Sequence, residues 1–442
     1  MKFLLKYGTT AVLLLLCAVI SWLTYEEQNP VSIDAQGAAR QIVHDQAAVI
    51  SNNTNVVVIG RDIANEQDFV EEAVASLAES GAKVVAQVNG DAGDVAKTFR
   101  DLNQNETRVD LLIGTEAIVK AKVVPALVTK YDNCARMQIV SPDRYRWPTF
   151  LTRSNLVNVA DQISVTAILA AGMTFVIVAG GIDLSVGSVI ALSSVIATLL
   201  IRDRLGAQDA SPASMVLASA CAIAICGLLG MSTGMFIEKI GVPAFIVTLA
   251  TMMIARGTAQ IFSEGQAVGF VPDSYSWLGR GTTLLGIPNP VILMLLVFGI
   301  AHVVLSNSVL GRYVYAIGGN REAAYLSGVP VRSVVVFTYT ASGILAALGG
   351  VLFASTYKAG SSNYGVMMEL HVIAAVVVGG TSLSGGRGTI PGTLMGAFII
   401  AVIRNGMNLE KVEPFTQNVI LGLVILAAAT LDKLKEPLLK RA

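Results

Sequence analysis

The chain has 442 residues, 31 basic and 31 acidic side chains, 53% apolar residues and only 14% charged ones. Zero net charge removes the electrostatic footprint of a nucleic-acid-binding protein, and a mean hydropathy of +0.64 lies outside the range of soluble globular chains. Three of the four cysteines (Cys17, Cys221, Cys226) sit in apolar runs, leaving Cys134 without a disulfide partner, and the three histidines are too scattered for a metal site.

In chain order, Lys2 and Lys6 precede an apolar run from Thr9 to Leu23. The outline is that of a signal peptide. However, Leu14-Leu15-Leu16-Cys17 lacks the small residues that precede a lipidated cysteine, and Tyr25-Glu26-Glu27 is a poor cleavage context. Residues 1–25 are therefore read as a short retained membrane helix, with a cleaved signal as the alternative.

Residues 26–150 have the composition of soluble protein, and 50–142 alternate strand and helix signals. Val56 to Gly60 reads as a strand. Glu66 to Ser80 follows as an amphipathic helix with Phe69, Val70, Ala73, Val74 and Leu77 on one face and Gly81 as its stop. Lys83–Val88, Val109–Ile113 and Met137–Val140 read as further strands, with helices over Asp91–Leu102 and Ala117–Tyr131 between them. Repeated βα units imply a parallel sheet covered on both faces. The pattern resembles one lobe of a sugar-type periplasmic binding protein; 125 residues leave room for one lobe, not for two closing on a ligand. The domain is read as a structural or docking module, with its own ligand as the alternative.

From residue 151 to 442 the chain is mostly long apolar segments. Spans read at roughly 157–180, 186–201, 214–237, 243–258, 289–306, 333–356, 369–381, 389–404 and 416–431, ten with the first helix. Several fall short of the ~20 residues a bilayer asks for, and the two around Gly379 read as half-helices. Only seven of the 41 glycines precede residue 151; small residues let membrane helices pack closely, which favours a polytopic bundle. With the N-terminus inside and 26–155 set aside as a translocated domain, the inner segments carry eleven Lys/Arg against seven outside. Both termini are then cytoplasmic and residues 26–150 extracytoplasmic. The fold class is a polytopic α-helical membrane protein of about ten transmembrane helices, with an inserted soluble α/β domain.

Two breaks interrupt the apolar runs. Gly180-Gly181-Ile182-Asp183-Leu184-Ser185-Val186-Gly187-Ser188 holds a lone acid at membrane depth, and Gly379-Gly380-Thr381-Ser382-Leu383-Ser384-Gly385-Gly386-Arg387-Gly388 lies some two hundred residues on. Non-helical backbone at that depth is tolerated only where protein or a watery cavity surrounds it, and paired breaks point to a transport site. Asp183 has three readings: a cap on the helix that follows, a direct substrate contact, or an interhelical bond. The glycines allow carbonyls and amides to face a hydroxyl-rich ligand, or simply allow tight packing. The hydroxyls of Ser185, Thr381 and Ser382 either face a polyol or bond back to the backbone.

From about Arg153 onward the chain resembles the membrane subunits of ribose-type ABC importers. The resemblance is carried by Gly172-Met173-Thr174 with Gly180 to Ser188, by Tyr315 to Ala324, and by Gly379 to Gly388. It implies a monosaccharide permease in a bacterial inner membrane. Its path would be lined by Gly180, Gly181, Asp183, Ser185, Gly187, Gly379, Gly380, Thr381 and Ser382. The inner loop 311–329 would engage a separate ATPase through Gly318, Gly319, Asn320, Arg321, Glu322, Ala323 and Ala324, with Gly318-Gly319-Asn320 as a turn and Asn320 capping a short helix. The implied partners are that ATPase, a periplasmic sugar-binding protein, a second permease copy and membrane lipid. The domain at 26–150 departs from the family pattern.

No Gly-x-x-x-x-Gly-Lys-Ser/Thr loop occurs, so ATP would be bound on the partner subunit, with no catalytic residue, metal or cofactor in this chain. The competing readings are an ion-coupled secondary carrier and a receptor sensing through the outer domain. The first has a thin set of intramembrane charges (Asp183, Arg387, His371, Glu369), and the second would need more than the ten residues after Asp432. A membrane enzyme finds no Ser/His/Asp, Cys/His or metal-spaced cluster.

Overall fold

The computed structural model describes residues 2–51, 53–284 and 286–439. Lys440 and Arg441 of the basic tail lie outside the described residues. The chain divides into two compact units. One is residues 21–154; the other combines the first helix as far as Ile20 with everything from Asn155 on. The first helix, α1 (Lys2–Leu23), begins seven residues before the apolar run used to locate it.

The smaller unit is built on a four-stranded sheet of β2 (Asn55–Gly60), β3 (Lys83–Asn89), β4 (Leu111–Gly114) and β5 (Gln138–Val140), in spatial order β3-β2-β4-β5 and parallel throughout. A strand buried on both faces needs an unbroken apolar run, and Val56, Val57, Val58, Ile59, Leu111, Leu112 and Ile113 are all fully enclosed. Helices α2 (Ala35–Asp45) and α3 (Ala64–Glu79) cover one face. On α3 the predicted apolar stripe is the buried one, with Phe69, Val70, Ala73 and Leu77 inaccessible. The other face carries α4 (Ala92–Gln104), α5 (Glu116–Val119) and α6 (Val123–Lys130).

Here the structure corrects the expected helix over Ala117–Tyr131. It splits before Val123 because Pro125 has no N–H and its ring would clash with the carbonyl four residues back, so the chain restarts with Pro125 in the first turn of α6. Two further elements were not anticipated. One is α2. The other is a ribbon of β1 (Tyr25–Gln28) antiparallel to β6 (Tyr145–Pro148), which joins the two ends of the unit.

The larger unit is helical. Its helices are α7 (Arg153–Val178), α8 (Val186–Arg204), α9 (Pro212–Met235), which continues in a wider turn to Ile240, and α10 (Ala244–Ser263). Then come α11 (Asn289–His302), α12 (Val309–Gly319), α13 (Arg321–Leu326), α14 (Val331–Tyr357), α15 (Met368–Val378), α16 (Ile390–Leu409) and α17 (Pro414–Leu439). Among the described residues, seven helices are long and apolar enough to cross a membrane, and three apolar helices are shorter. At eleven residues α15 reaches only about 16 Å, roughly half a hydrocarbon core.

The apolar windows of α7 and α8 are 83% and 78% buried, against 28% for α10, so the α7–α8 pair lies in the middle of the bundle. Gly318 and Gly319, expected in a turn, instead end α12.

Candidate functional site

Both breaks are made by the same local device. At the first, Gly180 has φ +86°; its N–H donates to Ile177 O and that of Gly181 to Val176 O, both at 2.9 Å. At the second, Gly380 has φ +91°; its N–H donates to Val377 O (2.9 Å) and that of Thr381 to Val376 O (3.2 Å). A left-handed residue with this crossed pair of bonds is the Schellman stop, and glycine takes it without a Cβ penalty. The last carbonyls of α7 and α15 are thereby satisfied by the chain itself. Both helices therefore stop at a defined point in the bundle.

The breaks touch one another, and α12 joins them. The Gly386 N–H donates to Val178 O at 2.9 Å, and the Tyr315 hydroxyl donates to Gly388 O at 2.6 Å. A Cβ on Gly318 would lie 1.8 Å from Val178 O and 2.4 Å from Gly386 N, so only glycine permits this three-way backbone contact. Gly318, assigned from the sequence to ATPase coupling, thus lies against the two breaks that hold the path-assigned residues.

Asp183 is 3% exposed. The Ser185 N–H and hydroxyl donate to its Oδ1 (2.9 and 2.6 Å), and the Ser342 hydroxyl on α14 donates to Oδ2 (2.8 Å). The Tyr339 hydroxyl, one turn earlier on α14, donates to Ile182 O at 3.4 Å. The carboxylate thus shapes the start of α8 and ties it to a second helix.

The remaining sequence-derived residues are placed as follows. Ser185 is engaged by Asp183. A Cβ on Gly187 would meet Gly365 O and Glu369 Oε2, and one on Gly379 would meet Gly392 O. Thr381 is fully buried with its hydroxyl unpartnered, and the Ser382 N–H donates to Arg387 O (3.0 Å). Asn320 does cap α13, its side chain accepting from Ala323 N at 2.9 Å. Glu322 and Ala323 are exposed and Ala324 is buried.

Beside the first break lies a cavity of about 310 Å³ bordered by Gly180, Gly181, Glu238, Arg321 and Tyr339. Arg321 Nη2 donates to Glu238 Oε2 at 2.6 Å, and the other oxygen of Glu238, whose side chain is 1% exposed, has no partner. Glu238, Tyr339 and Ser342 were missed from the sequence. Glu238 follows an apolar run next to Lys239 and reads as one more loop charge; the other two sit on a long apolar helix whose inward face carries no separate mark.

In the smaller unit, the carboxyl ends of β2 and β4 are where the strand order reverses and where an open α/β sheet offers a ligand crevice. Here that edge is filled by its own side chains. Glu66 accepts from the Arg61 N–H and guanidinium (2.8, 2.8 and 2.6 Å) and from the Thr115 hydroxyl (2.5 Å). Burial pushes Glu66 up, but these hydrogen bonds outweigh it and leave its carboxyl below the ordinary range. Glu116 is held by Arg144 (2.7 Å) and Lys120 (2.5 Å), which lower it likewise. Asp91, at the end of β3, forms a reciprocal cap with Asp94 on α4.

A bundle of apolar helices, two of them broken by matching stops whose backbones touch, is the architecture of a membrane permease. The chain belongs to the family described as branched-chain amino acid transport system, permease component, whose model matches residues 155–429, starting one residue after the smaller unit ends. Among curated relatives, the ribose import permease protein RbsC of Escherichia coli K12 is 41% identical over 293 residues, 65% of this chain and 88% of the relative. RbsC of Bacillus subtilis is 43% identical over 290 residues, 65% and 87%. The L-arabinose transport system permease protein AraH of E. coli K12 is 37% identical over 292 residues, 65% and 85%. No solved structure matches the chain significantly. The protein is a multi-pass membrane permease of a sugar-type ABC import system.

Proposed function

We propose that this chain carries a monosaccharide across a bacterial inner membrane, that its path runs past the junction of the two breaks, and that α13 transmits the work of a separate ATPase to that junction. The observation that carries the reading is the contact of α12 with both breaks: Gly318 lies against Val178 O and Gly386 N. Two residues further on, Asn320 caps α13, whose tip leaves Tyr325 71% and Leu326 84% exposed. Two bare apolar side chains at the end of a short helix suit a groove on a partner. A push on α13 would reach the breaks through Asn320 and the end of α12 with no flexible element between. The substrate class follows the relatives, which are named for ribose import and for L-arabinose and D-allose transport.

The rest of the proposal concerns assembly. Two permease copies enclose the path, symmetric self-association being the common solution, with ten spans per copy and both termini cytoplasmic. Residues 26–150 are extracytoplasmic and engage an incoming binding protein. The reading is tested by Leu326→Glu. Co-purification of the cognate ATPase with the permease should fall by about tenfold or more, the weight of a buried apolar anchor in an interface. Undiminished co-purification would remove α13 as the coupling element.

A further inference from the structure

We propose that the cavity beside Gly180 and Gly181 is a subsite for a neutral polyol, in which Glu238 Oε1 accepts a sugar hydroxyl and Arg321 donates to a neighbouring sugar oxygen. This rests on the monosaccharide-permease reading and adds the groups that hold the cargo. The starting point is an orphaned atom: Glu238 is enclosed, Oε2 takes the Arg321 guanidinium at 2.6 Å, and Oε1 has no partner. A buried carboxylate oxygen left without a donor is costly unless something fills the place.

The cavity it borders holds about 310 Å³, at the small end of the range for small-molecule sites. Its lining combines apolar Ile237, Val242 and Val335 with the ion pair and Tyr339. A monosaccharide likewise combines C–H surface with hydroxyl groups. The charge balance selects the class. Because Oε2 is already paired with Arg321, the pair carries no net charge and offers one acceptor; a hydroxyl satisfies it without adding charge, whereas an ammonium group would leave the enclosed cluster net positive. The guanidinium, 56% exposed on its side chain, keeps donors free. Because Arg321 opens α13 and Gly180 ends α7, a ligand here would touch both the coupling helix and the first break.

The test is saturation-transfer NMR on the whole permease–ATPase complex in nanodiscs, with D-ribose, L-arabinose and D-allose as probes and L-leucine as competitor. At least one sugar should give a saturable signal in the wild type. Glu238→Gln keeps an acceptor oxygen and should hold the affinity within about threefold, whereas Glu238→Leu should weaken it about tenfold. Val242→Trp fills the cavity while leaving both members of the ion pair in place and should abolish the signal, which keeps the question open to test if Glu238→Leu fails to fold. Equal losses in Glu238→Gln and Glu238→Leu would make the pair a mechanical latch and overturn the proposal. So would full binding by Glu238→Leu or by Val242→Trp, or displacement of sugar by leucine. Uptake by the wild-type transporter with its binding protein separates the two levels: no uptake of any of the three sugars counts against the permease reading itself, while uptake with unaltered binding in the variants counts only against this site.

Discussion

At the scale of single residues, Asp183 illustrates what a lone acid in an apolar stretch can and cannot reveal. Its three sequence-level readings were a cap, a substrate contact and an interhelical bond. The hydrogen bonds realise the first in modified form, through Ser185, and the third through Ser342, and Asp183 does not border the cavity beside Gly180. Asp183→Asn preserves shape and an acceptor oxygen and should leave folding and uptake largely intact. Asp183→Leu strands the Ser185 N–H and the Ser342 hydroxyl and should cost on the order of 3 kcal/mol in denaturation of the detergent-solubilised protein. Comparable losses in both would mean that the carboxylate acts through its charge. That Asp183 mattered was legible from its setting. That Ser342 holds it was not, because a serine on a 27-residue helix announces neither its direction nor its partner. Glu238 was hidden differently, as an ordinary flanking charge beside Lys239.

Among elements, the helices and both breaks could be read directly. Apolar runs bounded by glycine and polar residues place most of the helix ends within about five residues, although α1 starts seven residues earlier and α17 ends eight residues later than its run, and the paired Gly-Gly stops at 180 and 379 mark where α7 and α15 cease. The contact between the breaks could not be read, since nothing local to Gly318 says that Gly386 will lie against it. The split of the α5–α6 region was legible in Pro125, which a uniform helix over 117–131 passes over.

The junction makes a contrast within one dipeptide. A Cβ on Gly318 meets two backbone atoms at 1.8 and 2.4 Å, whereas one on Gly319 meets nothing within 4 Å. Gly318→Ala should force α12 away from the breaks, costing about 1–3 kcal/mol and most of the ATP-driven uptake. Gly319→Ala should be near neutral in both thermal stability and uptake. Equal tolerance at the two positions would mean that α12 does not pack on the breaks in the working protein.

At the scale of the whole molecule, the family match accounts for residues 155–429 and leaves the smaller unit to be explained. Its parallel sheet was legible from alternating strand and helix signals, while the β1–β6 ribbon was not, because its strands lie more than a hundred residues apart. The crevice edge of the sheet is closed by Glu66 with Arg61 and Thr115 and by Glu116 with Arg144 and Lys120, and a single lobe encloses little of any small ligand. Calorimetric titration of a 21–154 fragment with D-ribose, L-arabinose and D-allose should give no saturable heat, whereas micromolar binding would make the unit a receptor rather than a docking module. The central claim, that this chain is the path of an ATP-driven sugar importer, is tested most directly by uptake of those sugars into proteoliposomes holding the permease. Uptake should occur only when the ATPase, ATP and binding protein are all supplied, and should be indifferent to ion gradients. Accumulation by the permease alone under a proton or sodium gradient would contradict it.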